Sequence, residues 1–413
     1  MSLSADQVTS LVIEFGSSAV RAGWAGEEQP KLVVPSYVGK FIEQNGNVSY
    51  RVGDSLLNSV KVSQEIIQVI SGSKILDWDC LKAIWSFIIN SLGLDEQSIP
   101  PLLIVLPHDM QDVNNIVDVA WSYGHPAIFI AKTAVAATFA AGRHSALVVD
   151  IGAEGTRVTP VHDGYVLAAG VQSFEIGGKL LSARCVDALK HIANGNALYI
   201  TSYEIVSKEF VDLNVEPRFI LKPNLEDMLK PSWKIYHQML AMNELKETVC
   251  QVSDLPFKHS DLEKRPKVLY EFPNGFNTFI GLERYLIPEA LFGGYPQPQE
   301  GDNAGIAELI KNSLSQCDVD VRATLANNII LTGGGSLIPG LFERLSYELN
   351  KSPALSKWRI HTGSIGVAGT YEKKFGAWLG GSVLASLPAL QTLWVTKAEY
   401  SERGFEVFNK KCL

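Results

Sequence analysis

Residues 10–24 read Ser-Leu-Val-Ile-Glu-Phe-Gly-Ser-Ser-Ala-Val-Arg-Ala-Gly-Trp, and residues 146–162 read Ala-Leu-Val-Val-Asp-Ile-Gly-Ala-Glu-Gly-Thr-Arg-Val-Thr-Pro-Val-His. Each stretch opens as a short apolar strand that ends on an acid. One residue and a glycine follow, and a second alternating strand returns. The two acids, Glu14 and Asp150, stand 136 positions apart. Two copies of one pattern at that distance predict a duplicated α/β unit. A third segment, residues 329–349, reads as a strand, then Gly333-Gly334-Gly335, then an amphipathic helix.

Outward from these, Leu102–Leu106 follows Pro100-Pro101 and reads as a buried strand. Ala131–Gly142 reads as a buried helix. Stretches 39–54, 206–232, 253–268 and 293–305 are less regular. Asn45-Gly46 signals a hairpin within the first, and the Pro-, Gln- and Gly-rich last reads as an exposed loop. No low-complexity linker divides the chain, so the domains are expected to be interleaved.

The 413 residues suffice for two or three domains, and 46% hydrophobic with 19% charged residues is ordinary for a globular protein. The net charge of −8 argues against duplex nucleic acid as the main ligand. Cys80, Cys185, Cys250, Cys317 and Cys412 are odd in number, widely spaced and without a CxxC pair, which predicts free thiols rather than disulfides or zinc. Met1–Ser10 is polar, without the apolar core of a signal peptide. Phe375–Val395 carries no charge over 21 residues, but glycines, serines and Pro388 interrupt it. A buried helix pair is expected there rather than a membrane span.

A strand–glycine turn–strand hairpin can aim consecutive backbone N–H groups at a phosphate. Gly16, Ser17 and Ser18, with the charge of Arg21, are the candidates in the first hairpin, and Gly152–Thr156 in the second. Glu14 and Asp150 end their strands beside that position, where acids can hold a hydrated Mg²⁺. Gly333, Gly334 and Gly335 would let a base or ribose lie flat on the backbone.

In that order the three motifs resemble the two phosphate motifs and the adenosine motif of the actin superfamily. Leu76-Asp77-Trp78-Asp79, Tyr270-Glu271-Phe272-Pro273-Asn274-Gly275, Ile287-Pro288-Glu289-Ala290-Leu291-Phe292, Trp378-Leu379-Gly380-Gly381-Ser382 and the final Lys411-Cys412-Leu413 are similar as well. The resemblance implies an α/β actin-like ATPase fold: two duplicated ribonuclease-H-like domains divided into four subdomains around a nucleotide cleft. Subdomain 1 would take residues 1–31, 69–140 and 374–413, subdomain 2 residues 32–68, subdomain 3 residues 141–177 and 286–373, and subdomain 4 residues 178–285. It also implies ATP with Mg²⁺ as a structural ligand, the metal reached from Asp150 through bound water. Lys246, Glu247 and Lys374 would lie at the nucleoside. An apolar groove between the large subdomains would be lined by Phe139, Gly142, Tyr165, Leu384 and Leu387 and accept an amphipathic helix.

Lys132-Thr133-Ala134-Val135, Val161–Leu167 and Gln251-Val252-Ser253-Asp254 are similar to the nuclear actin-related protein 4 class. That implies a nuclear subunit of chromatin-remodelling or histone-acetyltransferase complexes. Its partners would be actin, a helical segment of a remodelling ATPase or acetyltransferase scaffold, and histones. A cytoskeletal, cytoplasmic relative and an active ATPase are the alternatives. The departures from the family pattern weigh against both. Thr133 stands where the family has a water-orienting glutamine, Arg157 where it has a histidine, and Ala153 where it has a second acid. Such losses cost on the order of 10³-fold or more in hydrolysis rate, so little or no turnover is expected. Residues 41–49 and 293–305 replace the filament-forming loop and plug, so no filament is expected.

Overall fold

The computed structural model describes residues 9–61, 63–95, 97–189, 203–224, 229–256, 258–293, 305–353, 365–366 and 369–412. Two six-stranded sheets organise them. In the first, the order is Val395–Thr396, Ala127–Lys132, Leu102–Leu106, Leu11–Phe15, Ala19–Trp24 and Leu32–Pro35. In the second, Tyr165–Val166, Thr156–His162, Ala146–Ile151, Ile329–Thr332 and Ile365–Gly366 follow one another, and Gln172–Phe174 pairs with Thr156–His162.

The duplication expected from the sequence is visible in the registers. Leu11–Phe15 pairs antiparallel with Ala19–Trp24, Glu14 opposite Arg21, and parallel with Leu102–Leu106. Ala146–Ile151 pairs antiparallel with Thr156–His162, Asp150 opposite Arg157, and parallel with Ile329–Thr332. Both central strands are apolar apart from the acid near their end, because both of their faces are covered. Each sheet has its own core, the first around Leu11, Trp85 and Phe408, the second around Leu147, Leu291 and Leu345.

Two helices join the halves. Thr133–Ala140 buries Ala136 in the core behind the first sheet and Ala134, Val135 and Ala137 in that behind the second. Thr370–Ser386 packs across it. Trp378 Nε1 donates to Val12 O at 3.1 Å on the first sheet, and Gly333 N–H donates to Lys373 O at 2.9 Å from the second. The crossing is so close that a Cβ on Gly380 would overlap the Ala136 carbonyl oxygen. The uncharged run Phe375–Val395 is not the expected helix pair: it is most of this one helix, ended by the extended residue before Pro388, and a short, largely exposed 3-10 turn, Pro388–Thr392. Among the described residues no helix is long and apolar enough to cross a membrane.

Ala131–Gly142 departs from its reading as one helix. Ala131 and Lys132 end a strand, pairing with Val105 and Leu106, and the helix starts at Thr133. The run Ile128-Phe129-Ile130, β-branched and aromatic, extends the strand into that position. The Asn45-Gly46 turn joins Tyr37–Ile42 to Val48–Arg51, and Glu65–Gln68 completes a small three-stranded sheet. Residues 206–232 contribute a ribbon of Ile205–Lys208 and Phe219–Leu221. Of the loop at 293–305, residues 294–304 lie outside the described residues.

Candidate functional site

The strand ends of both sheets meet at one cavity of about 690 Å³, a volume typical of small-molecule sites. The two hairpin turns, the triple glycine and the helix Pro231–Val249 line it. Glu14, Gly16, Ser17, Ser18, Arg21, Asp150, Gly152, Lys246, Glu247, Gly333, Gly334, Gly335 and Lys374 all line this cavity. Gly333 is required by its backbone, with φ of 83°, and by contact, since a Cβ there would overlap the Asp150 carboxylate.

At the floor, Glu14 is 8% exposed. Its Oε1 accepts from Arg21 Nη1 at 2.5 Å, while its Oε2 is buried with no hydrogen-bond partner. Burial raises the Glu14 pKa, Arg21 opposes the rise, and the nearby Asp150 charge adds to it. Burial likewise raises that of Asp150, against the opposing charges of Arg157 and Arg21. Two coupled carboxylates held above their ordinary range, one with an unanswered oxygen, make a floor that favours a cation. Mg²⁺ carrying nucleotide phosphates fits this donor set, because one or two carboxylates suffice when phosphates and water complete its shell. Bound there, it would neutralise the phosphate charge.

The walls are tied across the cavity. Arg157 Nη2 donates to Ser73 Oγ at 2.6 Å and pairs with Asp109 at 3.3 Å, both from the first half. Lys179 Nζ pairs with Glu154 at 2.6 Å, and Gln68 Nε2 donates to the same oxygen at 2.7 Å. Burial alone would raise Glu154, but the bonds and charge from Lys179 and the Gln68 bond hold its pKa below the usual value. Thr133 is the first residue of its helix and lines the floor.

At the Lys246 end of the cavity the polar groups are already bonded within the protein. Lys246 Nζ donates to Gly178 O at 2.9 Å, Ser182 Oγ at 3.1 Å and Asn243 Oδ1 at 2.6 Å. An ammonium has three hydrogens, and all three have partners within the protein. Asn243 also donates to Glu247 Oε1 at 2.7 Å. A nucleoside bound at Lys246 has to displace one of these bonds. Sequence reading missed Lys179, Tyr37, Tyr236 and Asn243, which also line the cavity. Gly177-Gly178-Lys179, a glycine pair and a cation opening the helix Gly178–Leu189, was a usable signal for the first.

The groove residues divide. Phe139 is half-buried against both joining cores and lies 3.8 Å from where a Cβ on Gly164 would stand, one residue before Tyr165. Gly142 is exposed and Tyr165 is 63% exposed. Leu384, at 1%, belongs to the core, whereas Leu387 is 37% exposed and follows the helix end at Ser386. The two leucines do not share a helical face, because the backbone turns extended at Leu387 ahead of Pro388.

The sequence profile of the actin family matches residues 5–413. The chain belongs to the actin family. Within it, the chain sits with the actin-related protein 4 class. It is 33% identical to actin-related protein 4 of Yarrowia lipolytica, over 98% of this chain and 96% of that one. It is 31% identical to actin-related protein 4 of Schizosaccharomyces pombe, over 98% of each chain. A third relative, 32% identical over 97% of each chain, is the S. pombe SWI/SNF and RSC complexes subunit arp42. The paired sheets with the cavity between them are the actin-like fold.

Proposed function

We propose that this chain is a nuclear, non-filamentous actin-related subunit of chromatin-remodelling or histone-acetyltransferase assemblies, holding ATP with Mg²⁺ as a structural ligand that it hydrolyses slowly or not at all. Similarity to a protein named as a SWI/SNF and RSC subunit supports the assembly. One observation carries the inert cleft. Thr133 and Arg157 stand at the phosphate floor, and Arg157 is engaged by Ser73 and Asp109. The short Thr133 hydroxyl cannot reach a water placed for a glutamine, and the engaged guanidinium has no acceptor with which to orient one. ATP would then stabilise the closed protein by mass action. Actin, a helical segment seated near Phe139, Tyr165 and Leu387, and histones are the partners that fit this reading.

The test is affinity purification of the full chain with identification of co-purifying subunits, together with nucleotide extraction and single-turnover hydrolysis. Remodelling or acetyltransferase subunits and intact ATP are expected. Recovery with cytoplasmic filament proteins, or turnover comparable to that of filamentous actin, would overturn it.

A further inference from the structure

The ribbon of Ile205–Lys208 and Phe219–Leu221 pairs with no third strand among the described residues. The hairpin of Val268–Glu271 and Asn277–Ile280 meets it at one end: Lys208 pairs with Glu271 at 2.5 Å, and Asn277 Nδ2 donates to Val211 O at 2.9 Å. The register fixes where the backbone of Phe219–Leu221 points. Glu209 N–H donates to Arg218 O, and Lys222 N–H donates to Glu204 O, both at 2.9 Å. These are hydrogen-bonded pairs of an antiparallel ladder. The alternate residues Phe219 and Leu221, opposite Lys208 and Ile205, therefore turn their N–H and C=O groups away from the ribbon. The side chains around this open edge are apolar. Ile220 is 63% exposed, Phe210 on the connecting loop is 88% exposed, and Val206 and Leu221 are exposed as well.

An open apolar edge invites uncontrolled pairing, and proteins ordinarily block such edges. This edge is limited in length instead. Pro217 and Pro223 bracket Arg218–Lys222, and proline cannot donate to a ladder. The loop at the Arg218 end is acidic. Glu209 faces Arg218 at 3.8 Å, while Asp212 and Glu216 add two exposed negative charges. Outward backbone groups suit an added strand, exposed apolar side chains suit one with alternating apolar residues, and an acidic loop suits a basic end. We propose that Arg218–Lys222 is a docking edge for an extended segment of another protein, apolar at alternate positions and basic at the end that overlies the 209–216 loop, added as a third strand. Val206, Phe210, Ile220 and Leu221 do not line the cavity, so the edge stands whether or not a nucleotide binds there.

The probe is a fluorescent peptide of alternating valine and threonine that ends in a lysine pair. It is titrated with the full chain by anisotropy, with amide hydrogen exchange read at Phe219 and Leu221. Saturable binding below about 1 mM is expected, and its absence overturns the proposal. Leu221→Pro removes an outward N–H without touching a bond inside the ribbon, and should weaken binding at least about 10-fold. Ile220→Ser should weaken it about 5-fold. The same peptide ending in a glutamate pair should bind at least about 10-fold more weakly at low salt. The Phe219 and Leu221 amides should exchange freely in the parent and slow under saturating peptide. Should Leu221→Pro fail to fold, Ile220→Ser and the exchange of the parent decide. Equal binding of the two peptides, folded variants within about twofold of the parent, or amides already protected in the free chain overturn the docking edge. Self-association of the free chain that Leu221→Pro abolishes, measured by sedimentation, overturns it in favour of a second copy as the occupant.

Discussion

The hairpins Leu11–Trp24 and Ala146–His162 carry the same pattern, an acid at the strand end and an arginine seven residues later, directly opposite it in register. Their arginines nevertheless do different things. Arg21 folds back on its own acid, Glu14, at 2.5 Å. Arg157 reaches out of its hairpin to Ser73 and Asp109 in the other half. The first hairpin pairs its cation with its own acid, whereas the second uses its cation to tie the halves, and Asp150 feels Arg157 and Arg21 only as nearby charges rather than through an ion pair among the described residues. Equivalent backbones thus support unequal sites, and the difference lies in where one flexible side chain finds an acceptor.

That contrast can be broken most sharply at Arg21. Arg21→Ala leaves Glu14 buried and uncompensated, and is expected to lower stability by about 3 kcal/mol near neutral pH in urea denaturation. The loss should shrink in acid, where a protonated Glu14 needs no partner.

Asp150→Asn comes next. It is expected to weaken Mg·ATP binding on the order of 100-fold by calorimetry, and Glu14→Gln only about 10-fold, because Arg21 already answers one Glu14 oxygen. The reverse order would mean that the first hairpin, not the second, holds the cation.

Arg157→Ala should cost about 1 kcal/mol, since it gives up a hydrogen bond and a half-exposed ion pair rather than stranding a charge. It should also leave hydrolysis as slow as in the parent. A gain of turnover would show that Arg157 itself blocks the attacking water.

The smallest effect is protonic. Glu14 and Asp150 both have pKa values raised by burial in the free protein. The folded chain therefore holds protons that the unfolded chain has released. The stability of the free protein falls as pH rises from the ordinary carboxyl range through the raised values. Mg·ATP binding reverses the shift and should release a fraction of a proton just above the ordinary carboxyl range. Calorimetry in buffers of different ionisation enthalpy measures it, and buffer-independent heats there would refute the coupling.

The paired hairpins and the triple glycine were legible because each is a local signal: apolar run, acid, glycine, alternation. All thirteen nucleotide candidates line one cavity because they sit at turns whose position the sheet fixes. What resisted reading was the partner of each long side chain. Nothing local shows that Lys246 is held by Gly178, Ser182 and Asn243, or that Trp233 meets Leu57 across the cleft. Leu384 and Leu387 looked equivalent at a spacing of three, and only the helix end at Ser386 separates a core residue from a surface one. The resemblance to the actin family pointed to Lys246, Glu247 and Lys374, which do line the cavity, but not to their bonding.

Gly380 sits where the two joining helices cross, against the Ala136 carbonyl. That point has no clearance for a side chain. A single methyl added there would force the two helices apart, and because Thr133–Ala140 is buried in the cores behind both sheets, the strain of Gly380→Ala would fall on both halves of the molecule at once.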